Sequence, residues 1–173
     1  MIDLNLTPEQ EEQVKKAREI LMRSAGRREF AELIWEKMQP GFAVHAGRGM
    51  GKTEALITAV HERENGNAMI VVPNSEMGAL LLQRYRNAFL FHTAGSEPQI
   101  VNAARIINSQ HICSPIYCDE WWMIPSSSRN IIARSGLRVY AVGTMPGLAG
   151  TIEAFPLIGN RMNGMAEALN NGL

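Results

Sequence analysis

The chain has 173 residues, 46% of them hydrophobic and 20% charged, which is enough apolar content for one substantial core. Lys+Arg and Asp+Glu each number 17, so a net charge of zero excludes a global electrostatic pull toward nucleic acid or an anionic membrane. No apolar run approaches the roughly eighteen residues of a membrane helix, and the polar, charged start is unlike a signal peptide, so a cytoplasmic protein with no membrane partner is expected.

In chain order, Thr7-Pro8-Glu9-Gln10 supplies an N-cap, a proline at the first helical position and a glutamine at the third. This predicts a helix from Pro8 to Ser24, ended by Ala25-Gly26. A second helix is expected from Arg28 to Met38, with Phe30, Leu33, Ile34 and Met38 on one face, before Pro40-Gly41 turns the chain into a strand at Phe42. A glycine-rich loop follows, then a helix from Gly51 to Asn65 with Ala55, Leu56, Ala59 and Val60 on one face. Ala68 to Val72 reads as a strand covered on both faces, and Pro73-Asn74-Ser75 stops it and caps a helix through Asn87. A short strand at Gln99 to Val101, a helical turn at Ala103 to Ile107, a strand at Ile112 to Cys118, a helix at Ser126 to Ser135 and a strand at Leu137 to Val142 complete the regular pattern. Beyond Pro146, glycine and asparagine are frequent, and only Met162 to Leu169 has helical periodicity.

Strands alternating with helices predict an α/β fold, a mainly parallel sheet with helices on both faces and its site at the C-terminal strand ends. The expected organisation is one domain, with an N-terminal helical segment over residues 1–40, a motif-bearing core over 41–146 and a weakly patterned segment over 147–173. Cys113 and Cys118 are five apart on one expected strand, an odd spacing that points them to opposite faces and forbids a bridge.

The strongest chemical signal is Ala46-Gly47-Arg48-Gly49-Met50-Gly51-Lys52-Thr53 between a strand and a helix. Holding a triphosphate needs backbone N–H groups converging on its oxygens, and glycines permit both the turn and the close approach. Lys52 is placed to neutralise phosphate charge and Thr53 to offer a hydroxyl to Mg²⁺, while the following helix aims its positive end at the same anion. The leading glycine of this pattern is replaced here by Ala46.

About 70 residues later, Ile116-Tyr117-Cys118 runs into Asp119-Glu120, the shape of a Walker B motif. Asp119 is expected near the Mg²⁺ shell and Glu120 beside an attacking water, both reaching the site because the backbone turns at the strand end. Gly143-Thr144 ends the next strand with a hydroxyl suited to sensing the γ-phosphate, although Gly-Thr is also an ordinary turn. Of Trp121 and Trp122, one is expected in the core and the other either packs a loop or offers a stacking platform. His45, His61, His92 and His111 have no metal-ligand spacing, and the ten methionines are dispersed as core filler.

Together these elements resemble the ATPase core of phage terminase large subunits and helicases, P-loop NTPases that carry a catalytic glutamate, over roughly Arg28 to Pro146. Gly47 to Thr53 is similar to the terminase form of the loop, in which an arginine stands where Arg48 does. Val71-Val72-Pro73-Asn74 is similar to a strand-and-proline motif that contacts DNA, and Gly143-Thr144-Met145-Pro146 to a coupling motif. Gly49 departs from the usual terminase glutamine, the 173 residues are not expected to include a nuclease domain or second motor lobe, and the adenine-contacting glutamine has only Arg27, Arg28 or Gln39 as stand-ins.

The resemblance implies an ATPase using ATP and Mg²⁺, working on DNA as a homo-oligomer or with a partner protein, in host cytoplasm if viral. Residues 46–53 would bind nucleotide, Thr53 and Asp119 the metal, and Glu120, Lys52, Arg48 and Thr144 would serve catalysis. Two other readings stay open: a non-catalytic nucleotide switch, and a nucleoside or small-molecule kinase, for which an arginine-rich lid is missing. No Asn-Lys-x-Asp guanine motif occurs, which favours ATP over GTP.

Overall fold

The computed structural model describes Glu12 and residues 25–89, 96–106, 115–144 and 151–157. Six strands form one sheet: β1 (Phe42–His45), β2 (Met69–Val72), β3 (Gln99–Asn102), β4 (Ile116–Cys118), β5 (Val139–Gly143) and β6 (Glu153–Pro156). The sheet order is β3-β2-β4-β5-β1-β6. All neighbours are parallel except β1 and β6, which pair antiparallel with Val44 opposite Ala154. The helices are α1 (residues 25–37), α2 (Lys52–Glu64), α3 (Ser75–Phe89), α4 (Ala103–Ile106) and α5 (Ser126–Ala133), with a 3₁₀ turn at Trp121–Met123.

Alternation along the strands splits the core into two halves. Val44, Ile70, Val72, Tyr117, Tyr140 and Val142 face Ile34 and Met38 of α1, Leu56 and Val60 of α2, and Leu81 and Tyr85 of α3. Ala43, Met69, Val71, Ile116, Cys118, Val139 and Ala141 face Ala103 and Ile106 of α4, Trp121 of the 3₁₀ turn, and Ile132 of α5. Helices therefore cover both faces of a mainly parallel sheet, as the alternation of elements predicts. Parallel pairing also brings the C-terminal ends of β1, β2, β4 and β5 to one edge.

Two expectations for α1 need correction. Ala25 and Gly26 are helical, so α1 includes residues ahead of the expected start at Arg28. One glycine costs a helix only about 1 kcal/mol, less than burial of the stripe Ala31, Ile34 and Met38 contributes. Nor do Phe30 and Leu33 face the core, as they are 41% and 45% exposed. The spacing i, i+3, i+4 fits either stripe, and the tight approach of α1 to Gly51 selects the one that carries Ala31.

Tertiary pairing also moves some boundaries. β6 is an antiparallel edge strand in a segment with no sequence periodicity, and β4 begins only at Ile116. α3 runs two residues past Asn87, and α5 ends at Ala133. Cys118 is buried on β4, where burial raises its thiol pKa. The predicted helix at Pro8 to Ser24, apart from Glu12, lies outside the described residues, as do Cys113, Met145, Pro146 and the helix at Met162 to Leu169. Among the described residues, no helix is long and apolar enough to cross a membrane.

Candidate functional site

The Gly-rich loop leaves β1 beside the tip of β5, where Ala46 N–H donates to the Gly143 carbonyl at 3.2 Å. Gly51 takes φ +79° to redirect the chain into α2, and a side chain there would stand 2.8 Å from the Arg27 carbonyl and 2.9 Å from Ala31 Cβ. Glycine is thus required twice over, by backbone conformation and by the packing of α1. Lys52 is buried, and its Nζ donates to the Gly47 carbonyl at 3.0 Å, folding the loop around the ammonium. Met50 turns inward, its sulfur 3.1 Å from the Gly47 N–H. Arg48 is exposed and forms no ion pair with the described residues.

α2 presents Thr53 to β4, with Oγ1 3.4 Å from both Oδ1 and Oδ2 of Asp119. Asp119 is buried, and its N–H donates to the Val71 carbonyl at 3.0 Å, continuing the sheet to its tip. Burial first, and the neighbouring Glu120 second, push its carboxyl from 3.8 up to about 6, against the opposing pull of Lys52 and Thr53. Glu120 then adopts the left-handed conformation at φ 50° and ψ 55°. That reversal breaks strand alternation and keeps both carboxylates on the same edge.

The Glu120 carboxylate is held from two sides. Oε2 accepts the Thr144 N–H at 2.9 Å, Oε1 accepts the Thr144 hydroxyl at 3.1 Å, and Lys52 Nζ stands 3.7 Å from Oε1. Thr144 therefore contacts a carboxylate of the site through both of its donors, a pairing that spacing along the chain does not reveal. Five residues expected from the sequence, Lys52, Thr53, Asp119, Glu120 and Thr144, thus converge, whereas Arg48 stands apart.

Sequence reasoning missed the α3 wall of the site. Met77, Leu80, Leu81 and Arg84 line a cavity of about 200 Å³ together with Thr53 and Asp119. Their i, i+3, i+4, i+7 spacing was visible, but not which neighbour that face meets. α3 is capped by Asn74, whose Oδ1 accepts the Met77 N–H at 2.9 Å. Of the three stand-ins for a base-contacting residue, only Arg27 adjoins the loop, at Gly51, and its Nε lies 3.3 Å from Glu54. Gln39 lies at the other end of β1, its carbonyl accepting the Phe42 N–H, and Arg28 pairs with Glu32.

The far end of α2 is fastened as well. Arg63 donates to the Met38 and Trp35 carbonyls at 2.9 Å each, closing the C-terminus of α1. Glu64 accepts from the Tyr117 hydroxyl at 3.3 Å and pairs with Arg138 at 3.5 Å, which leaves Arg138 remote from the loop.

No group of three or more His, Cys, Asp or Glu able to hold a metal occurs among the described residues. Thr53 and Asp119 together still offer hard oxygen donors, one of them a buried carboxylate whose ionised form a cation would stabilise, which suits Mg²⁺ rather than a softer ion.

No protein-family model matches the chain, and no curated protein matches it. Among solved structures, the chain is similar to the large terminase ATPase domain of Thermus phage P74-26 at 20% identity and a TM-score of 0.43. The match covers 61% of this chain and 60% of that one. A single-residue variant of the same domain matches at 20% identity and a TM-score of 0.42, over 62% and 61% of the two chains.

Proposed function

We propose that this chain is a Mg²⁺-dependent ATP-hydrolysing domain of the P-loop type, working on DNA in the manner of a phage terminase motor. The observation that supports it most is the convergence of the loop and the β4 tip: Thr53 Oγ1 is 3.4 Å from Asp119, and Lys52 Nζ is 3.7 Å from Glu120. A surface turn with a solvated lysine would not bury Lys52 against the Glu120 carboxylate, beyond the end of a strand far along the chain.

The residues divide the chemistry. The loop N–H groups from Gly47 to Gly51 and the Lys52 ammonium take the β- and γ-phosphate oxygens, Lys52 exchanging the Gly47 carbonyl for phosphate. Thr53 and Asp119 would hold Mg²⁺, which supplies neutralisation of the developing phosphate charge. Glu120 orients a water in line with the γ-phosphorus and takes its proton as the new P–O bond forms and the bond to the β-phosphate oxygen breaks. Thr144 reports phosphate occupancy through its bonds to Glu120. Arg48, exposed on the loop, is free to fold over the transferred group. Coupling to DNA translocation or packaging, in a homo-oligomer or with a partner protein, follows from the terminase-like form of the loop.

The test is phosphate release from each nucleoside triphosphate, with and without single- and double-stranded DNA. Turnover should require Mg²⁺, prefer ATP, rise with DNA, and vanish in a folded Lys52→Ala variant that also loses nucleotide affinity. Nucleotide binding unchanged in Lys52→Ala would reject the loop assignment, and tight binding by wild type without turnover would mark a switch instead of a motor.

A further inference from the structure

The 3₁₀ turn that follows Glu120 reaches back to the tip of β5 through one side chain. Trp122 is half-buried, and a methyl group added at Gly143 would stand 2.7 Å from its Cδ1 and 3.0 Å from its Nε1. The edge of the indole therefore rests on the main chain of the residue before Thr144. Its N–H is buried without a hydrogen-bond partner among the described residues, so the contact with Gly143 is steric. On α5, the Arg129 guanidinium lies 5.8 Å from the ring centroid, where burial lowers its pKa.

These contacts close a circuit. Glu120 is two residues from Trp122, Trp122 bears on Gly143, Gly143 precedes Thr144, and Thr144 donates twice to the carboxylate of Glu120. Glu120 itself sits in a left-handed conformation that nothing in its own side chain favours.

We propose that Trp122 is a positioning residue, a wedge that seats the β5 tip so that both Thr144 donors stay on the Glu120 carboxylate. The 3₁₀ turn and α5 thereby set the orientation of the water-activating group. This rests on the hydrolase reading above, and Trp122 acts through Glu120. Glycine at 143 serves the same arrangement, because a side chain there would press first on the indole and stand 3.2 Å from the Trp121 main-chain nitrogen.

Gly143→Ala tests the idea, since its methyl adds little volume and meets the Trp122 ring first. In that variant kcat should fall about tenfold or more, while KM, nucleotide Kd and the melting temperature change little. Trp122→Phe in the same chain, which narrows the ring, should restore part of the loss. In a Glu120→Gln background, Gly143→Ala should cost nothing further, because the group it misplaces is already disabled. Should Gly143→Ala fail to fold, Trp122→Phe alone is the second variant, with the same expected fall in kcat at constant Kd. A wild-type kcat in both single variants, or an equal fold-loss in the Glu120→Gln background, overturns the wedge while leaving the hydrolase reading intact. A wild-type chain that shows no turnover overturns the hydrolase reading and the wedge with it.

Discussion

Replacing Asp119 with asparagine should stabilise the ligand-free protein while impairing the proposed Mg²⁺-dependent hydrolysis. The carboxyl is raised from 3.8 to about 6, mainly by burial, which corresponds to about 3 kcal/mol of unfavourable free energy for the ionised form. Between those two values the folded chain retains a proton that the unfolded chain has released, so stability falls as pH rises through the window. Above it, the full cost is present in wild type and absent in the variant. Asparagine keeps the size and an acceptor for Thr53, but its amide also needs partners in a buried place. The net gain at pH 7.5 should therefore be about 1–3 kcal/mol, or roughly 2–12 °C in Tm for a chain of this length. Thermal melts of both proteins from pH 4 to pH 8 isolate the effect as a difference curve, lowest at the acid end, rising between pH 4 and pH 6 and level above that. Mg²⁺ with a non-hydrolysable ATP analogue should reverse the order, raising the Tm of wild type more than that of the variant. A difference of the same size at both ends of the pH range would refute the reasoning, as would equal stabilisation of the two proteins by Mg²⁺ and nucleotide.

Glu120→Gln should bind Mg²⁺-ATP about as well as wild type and hydrolyse it roughly 100-fold more slowly or worse, in single-turnover phosphate release, because the amide cannot take the proton of water. Arg48→Lys keeps the charge but loses the planar fork, so turnover at saturating ATP should drop by roughly tenfold or more with affinity little changed, and near-normal hydrolysis would remove Arg48 from the mechanism. Gly51→Ala should destabilise the fold by about 1–3 kcal/mol from backbone strain alone, with crowding against Arg27 and Ala31 adding to it, and a melting temperature equal to wild type would contradict the packing described for α1.

Local signals carried much of this reading. The glycine loop, its flanking strand and helix, and the strand ending in Asp119-Glu120 are contiguous patterns, and the structure has those elements within a few residues of the expected bounds. The choice between the two apolar stripes of α1 was invisible, because both satisfy one period and only contact with Gly51 separates them. β6 has little to mark it, since a short edge strand is defined by pairing to β1 and needs no apolar face of its own. The Thr144 bonds to Glu120 and the α3 wall beside Asp119 escaped for the same reason: each is made across strands or helices far apart in the chain.

The left-handed backbone at Glu120 sets thermal endurance against chemistry. A side chain other than glycine or asparagine in that conformation stores about 1–3 kcal/mol of strain, and Glu120 holds it at φ 50° immediately after a buried carboxylate. Glycine or asparagine at 120 would relax the turn, yet neither carries the carboxylate that Lys52 and Thr144 surround. A library of this chain screened for heat resistance alone would therefore drift toward those two residues and fill with durable molecules that lack the carboxylate of the proposed hydrolase. Improving this fold by directed evolution would require turnover and stability to be selected together at position 120.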